Sequence, residues 1–159
     1  MTHALNSYKS KTLVTWIALI GGSLGLHRFY LHGIADRLGW LFPLPTLVGL
    51  YGVLRMRTLG LDDHLGWVLV PLLGVTLAAA MLSAIVYGLT PDEKWNARFN
   101  PMGPEHRTGW IAVVGVMLSL IIGAGVLMAT IAFSAQHYFE YQAETGVQQA
   151  QGNSISPTQ

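Results

Sequence analysis

Four apolar runs separated by short polar segments make up most of the chain. Residues 65–89 and 110–133 contain no Asp, Glu, Lys or Arg. A hydrocarbon core of about 30 Å needs about 20 helical residues at about 1.5 Å each, so both runs are expected to span a bilayer. Residues 38–54 are slightly short, and Pro43 and Pro45 predict a kink near their start. Residues 12–26 reach only about 22 Å as a helix. They span only if the helix continues through His27, Arg28, Phe29 and Tyr30 to Leu31. The pattern therefore predicts four transmembrane helices, over about 12–31, 38–54, 65–89 and 110–133. Lys9 and Lys11 followed by an apolar 12–20 also have the outline of a signal peptide, but nothing after Gly22 resembles an A-x-A cleavage site.

The segments between the runs complete an all-α integral membrane protein. Residues 1–11 are a polar, basic lead. Residues 32–37 are short enough to force an antiparallel hairpin over 12–57. The second helical pair, 65–133, is joined by the loop 90–109. That loop begins Thr90-Pro91-Asp92-Glu93, an N-cap, a favoured first-turn proline and a capping-box acid. Trp95 and Phe99 then stand four apart, as do Lys94 and Arg98, so one helical turn sets an aromatic edge beside a basic one. A short interfacial helix is expected there, and a plain connector is the alternative. The tail, 134–159, loses hydrophobic periodicity and is expected to be partly disordered after an initial extension of the fourth helix.

Composition agrees with the pattern and removes several functions. The chain is 52% hydrophobic and 11% charged, against about 25% charged in soluble domains. The net charge of +1 is far from a nucleic-acid-binding footprint, so no nucleic-acid partner is expected. There is no cysteine, which excludes disulfides, thiolate metal sites and cysteine nucleophiles. With four spans, Lys9, Lys11, Arg55 and Arg57 face one side and Arg28, Arg37, Lys94, Arg98 and Arg107 the other. That near-even split orients the chain poorly, with a lean towards both termini cytoplasmic in a cell membrane.

Small residues recur at helical spacing. Gly115, Ser119 and Gly123 form a row on the fourth run, and Gly21 and Gly25 a GxxxG pair on the first. Such rows let helices approach closely in lipid. They serve internal packing, or contact with a second copy or another membrane protein.

The stretch Gly21-Gly22-Ser23-Leu24-Gly25-Leu26-His27-Arg28-Phe29-Tyr30-Leu31 resembles the core of the TM2 domain, a two-helix membrane hairpin. Gly21, Gly22, Gly25, His27, Arg28, Phe29, Tyr30 and Leu31 match it, and the resemblance covers about residues 9–55. Two departures stand out. His32 precedes Gly33 where the family usually has glycine directly, and Leu50–Leu54 lacks the acid that members often carry late in the second helix. Asp36 is then the nearest acid to balance Arg28. The resemblance implies an integral membrane protein and no defined chemistry. Gly21, Gly22, Gly25, His27, Arg28, Phe29 and Tyr30 are the expected sites of lipid or partner contact, or an interfacial lock.

No catalytic, cofactor or metal site is expected. His27, His32 and Asp36 do not share one helix face, and Asp62-Asp63-His64 sits in a short loop where solvated charges are ordinary. No Walker, GxGxxG or GxSxG context is present. The expected function is a non-enzymatic membrane adaptor or scaffold, partnered by lipids and by another membrane protein or a second copy. The alternative is a self-associating small-solute channel or transport accessory subunit.

Overall fold

The computed structural model describes residues 8–154. Residues 1–7 and 155–159, the outer parts of the expected lead and tail, lie outside the described residues. The elements are α1 (Lys11–Gly21), a 3₁₀ turn (Gly22–Leu24), α2 (Leu26–His32), α3 (Arg37–Leu41), α4 (Pro43–Leu59), α5 (His64–Leu89), α6 (Asp92–Phe99) and α7 (Trp110–Ser154). Three stretches, Arg37–Leu59, His64–Leu89 and Trp110–Gln151, are long and apolar enough to cross a membrane, which fits a membrane location.

The stretch expected as one helix over 12–31 is two. Alpha-1 has 11 residues, about 16 Å, and the chain then turns back. Gly25 makes the reversal, with φ +74° and ψ 10° in the left-handed region, where a Cβ would also strike the carbonyl oxygen of Gly39. Alpha-2 returns antiparallel to α1. Leu26 lies against Gly21, Leu31 joins Val14 in the core, and Lys9 Nζ donates to the Tyr30 carbonyl at 2.7 Å. The turn leaves the Ser23 carbonyl without a helical donor, and Thr46 Oγ1 of α4 donates to it at 2.7 Å. The tip packs on α5, where a Cβ on Gly22 would stand 2.8 Å from that of Ala80. Ala80 is nine residues short of the end of α5, about 14 Å along its axis.

Pro43 and Pro45 lack N–H groups, so the helix expected over 38–54 starts as α3, is interrupted at Phe42, and continues as α4. It runs antiparallel to α5 through glycines: Gly49 faces Leu73, Gly52 faces Leu69, and Gly66 faces Met56. Alpha-7 is antiparallel to α5 in turn, with Gly88 facing Val116 and Gly123 facing Met81. The row Gly115, Ser119 and Gly123 is therefore turned inward. Gly115 meets Thr15 and Trp16 of α1, and Ser119 is fully buried. The extension of the fourth helix into the tail is long, and α7 is helical to Ser154. Between His137 and Ala150 only Gly146 opposes a helix, while Ala, Gln and Glu favour one.

Candidate functional site

The N-terminal segment, the end of α2, α6 and the loop after α6 converge at one end of the bundle, hereafter the α6 end. Lys11 is 2% exposed. Its ammonium donates to Asp92 Oδ1 at 2.6 Å and to the Thr90 carbonyl at 2.7 Å. Asp92 also accepts from the backbone N–H of Thr108 at 2.8 Å and from the Thr108 hydroxyl. Burial pushes the Asp92 carboxyl upward in pKa, but the donors from Lys11 and Thr108 outweigh it and hold the group well below the ordinary carboxylate range. Asn100 brackets the Lys9 backbone, accepting from its N–H at 2.9 Å and donating to its carbonyl at 3.1 Å. Trp95 Nε1 donates to that carbonyl at 2.9 Å. Asn96 both accepts from His106 N and donates to His106 O. Tyr8 Oη stands 2.6 Å from His106 Nδ1. Burial, with Lys11 nearby, lowers the His106 pKa against an opposing pull from Asp92.

The expected short helix is present as α6, and its two edges separate. Trp95 is 1% exposed and packs with Val14 and Leu31, with Phe99 against them, while Lys94 and Arg98 are exposed. Its cap differs from expectation. The Thr90 hydroxyl donates back to Val86 O at 2.7 Å, finishing α5, so the residue preceding α6 is Pro91.

The glycine-rich motif runs from the depth of the bundle up to this end. Gly21, Gly22 and Gly25 form the turned tip. His27 is 1% exposed, its ring 5.5 Å from that of Phe42 and 5.7 Å from that of Tyr87, and its Nδ1 is buried without a hydrogen-bond partner. Phe29 meets Trp40 edge-on at 5.3 Å, and the Lys9 ammonium lies 4.7 Å from the Tyr30 ring centroid. His27, Arg28 and Tyr30 thus face different neighbours and do not line one cleft.

Arg28 pairs with Asp36, Nε to Oδ2 at 2.9 Å, and that hydrogen bond holds the Asp36 carboxyl below its ordinary pKa. Asp36 also caps α3 by accepting from Leu38 N, and Trp40 Nε1 donates to Ile34 O at 3.1 Å. The same construction recurs 27 residues on, at the opposite end. Arg55 Nε donates to Asp63 Oδ2 at 2.7 Å, Asp63 caps α5 through Gly66 N, and Trp67 Nε1 donates to Leu61 O at 2.6 Å. Arg55 likewise depresses the Asp63 pKa. Gly33 (φ +83°) and Gly60 (φ +98°) open the two turns. Each clamp is an arginine, an aspartate eight residues later that starts a helix, and a tryptophan four further on.

Leu-Gly-Trp stands at both 38–40 and 65–67, and the Arg28…Asp36 and Arg55…Asp63 spacings precede it identically. Those matched spacings are the trace of the two clamps in the sequence. The Lys11–Asp92 pair and the asparagine brackets left no comparable trace, because their partners lie 81 and 91 residues apart. No family model, curated protein or solved structure matches the chain.

Proposed function

We propose that this chain is a multi-pass membrane protein, similar to TM2-domain proteins over about residues 9–55, that acts without catalysis as an adaptor or scaffold. The observation that carries the reading is the length of α7. Its 45 residues make a rod of about 67 Å, more than twice a hydrocarbon core. His137 stacks on Trp67 and Tyr141 meets His64, level with the start of α5. Beyond Tyr141 the rod continues for about 20 Å, and residues 142–151 are exposed on nearly all sides. Tyr138, Phe139 and Tyr141 are exposed where it leaves the bundle. A rigid post braced inside the membrane and bare outside it suits holding something else.

The proposed arrangement has three crossings and a re-entrant hairpin, α1–α2, that enters and leaves at the α6 end. Non-helical backbone at depth is tolerated when protein surrounds it, as Thr46 and Ala80 surround Ser23 and Gly22. The arrangement also regroups the charges. Lys9, Lys11, Arg28, Arg37, Lys94, Arg98 and Arg107 fall at the α6 end, and Arg55 and Arg57 at the other. Seven against two gives the positive-inside rule a clear direction, with the α6 end cytoplasmic and the α7 post outside. That replaces the both-termini-cytoplasmic arrangement of four spans.

The adaptor reading is tested by photocrosslinking from Phe139 and Val147 in intact cells, with Ile121, an exposed apolar position within the span, as control. It predicts a discrete adduct with a different protein from 139 or 147 and none from 121. An adduct of twice the chain's mass, with solute flux in liposomes, would replace it with the channel reading.

A further inference from the structure

Between α2, α5 and α6 lies a cavity of about 240 Å³ at the α6 end. Its inner wall is aromatic, made by Tyr87, Trp95 and Phe99, and its rim carries His32, Lys94 and Arg98. Two of the seven basic residues at this end have a carboxylate beside them. Lys11 has Asp92, and Arg28 has Asp36. Lys94 and Arg98, one turn apart on α6, have none among the described residues; Arg98 only lies over the Phe99 ring at 5.4 Å. His32 stands edge-on to Phe99 at 6.4 Å. Two unneutralised cations thus share a rim with a histidine.

Val86 lines the cavity and is exposed, and Leu82, one turn deeper on the same face of α5, is exposed too. A cationic rim therefore stands directly above an apolar strip leading into the span. A free anion would use only the rim. An anionic amphiphile uses both, and basic pockets at the cytoplasmic surface of helical membrane proteins suit phosphate head groups.

We propose that this cavity holds the head group of an anionic phospholipid, its phosphate between Lys94 and Arg98 and one acyl chain along Val86 and Leu82. The inference rests on the membrane placement above, with α6 at the cytoplasmic surface where anionic lipid is concentrated. Binding to purified protein does not depend on orientation, however, so the two fail separately.

The test is native mass spectrometry of the full chain in mild detergent, titrated with phosphatidylglycerol, with phosphatidylcholine of the same acyl chains, and with inorganic phosphate. Phosphatidylglycerol is expected to bind more tightly than either. Lys94→Gln and Arg98→Gln should each weaken it about fivefold, and the double variant about twenty-fivefold. Arg57→Gln, at the other end, should leave it unchanged, and the charge-preserving pair Lys94→Arg with Arg98→Lys should retain most of it. If the double variant does not fold, the single substitutions decide. Equal binding of the two phospholipids, undiminished binding by the glutamine variants, or inorganic phosphate binding as tightly as phosphatidylglycerol would overturn the assignment.

Discussion

Arg28 reaches across one turn of chain to Asp36, donating through Nε at 2.9 Å, and the aspartate it holds is the residue that begins the next helix. The bond therefore fixes the angle at which α2 hands over to α3. Arg55 and Asp63 do the same between α4 and α5. Arg28→Leu and Arg55→Leu should lower the melting temperature of the detergent-extracted protein by similar amounts, a few degrees each. Asp36→Asn and Asp63→Asn should cost less, since the amide oxygen still accepts from the guanidinium and still caps the helix, and only the opposite charge is lost. A fall for one arginine and none for the other would show that the clamps are not equivalent.

Lys11 secures the α6 end from beneath. Lys11→Met removes a buried donor and leaves Asp92 without its cation, at a cost of about 2–3 kcal/mol. Unfolding curves should show the loss, and limited proteolysis should cut first between residues 100 and 109. The double variant Lys11→Met/Asp92→Leu should recover part of it, because no charge is then stranded.

The same cap carries a pH dependence. The folded-state pKa of His106 lies below its ordinary 6.5, so the unfolded chain binds more protons. Its contribution is intact above that value and is lost as pH falls through the folded pKa. Asp92 is depressed as well, so its contribution holds above the ordinary 3.8 and goes only in stronger acid. Stability measured against pH should therefore fall in two stages on acidification, and His106→Gln should diminish the first while leaving the second. A single fall confined to strong acid would count against the buried neutral His106.

Gly25 and Gly146 form an opposed pair. Gly25→Ala puts a side chain in the left-handed region, at about 1–2 kcal/mol, and into the Gly39 carbonyl besides. Gly146 is helical with open space around it, so Gly146→Ala should stabilise α7 by about 1 kcal/mol. Melting temperatures of the two variants should move in opposite directions.

These residues also mark how far the sequence could be read. The uncharged runs 65–89 and 110–133 reappear as helices because length and apolarity alone decide them. The short α6 was legible for a similar reason, as its aromatic and basic positions recur at helical spacing. The reversal at Gly25 was not, since a glycine inside an apolar run is equally consistent with a packing face. What distinguishes the two is whether Thr46 and Ala80, far along the chain, are there to receive the turn. The first run was too short for a span, and that shortfall was the readable clue.

The most direct test of the account concerns the sides on which the chain emerges. The natural chain has no cysteine, so single substitutions Ser7→Cys, Ile34→Cys and Glu144→Cys can be labelled with a membrane-impermeant maleimide in intact cells. Three crossings with a re-entrant hairpin predict that positions 7 and 34 are protected until the membrane is opened, while position 144 labels from outside. Labelling of 7 together with 144, with 34 on the opposite side, would mean four spans and would contradict the account.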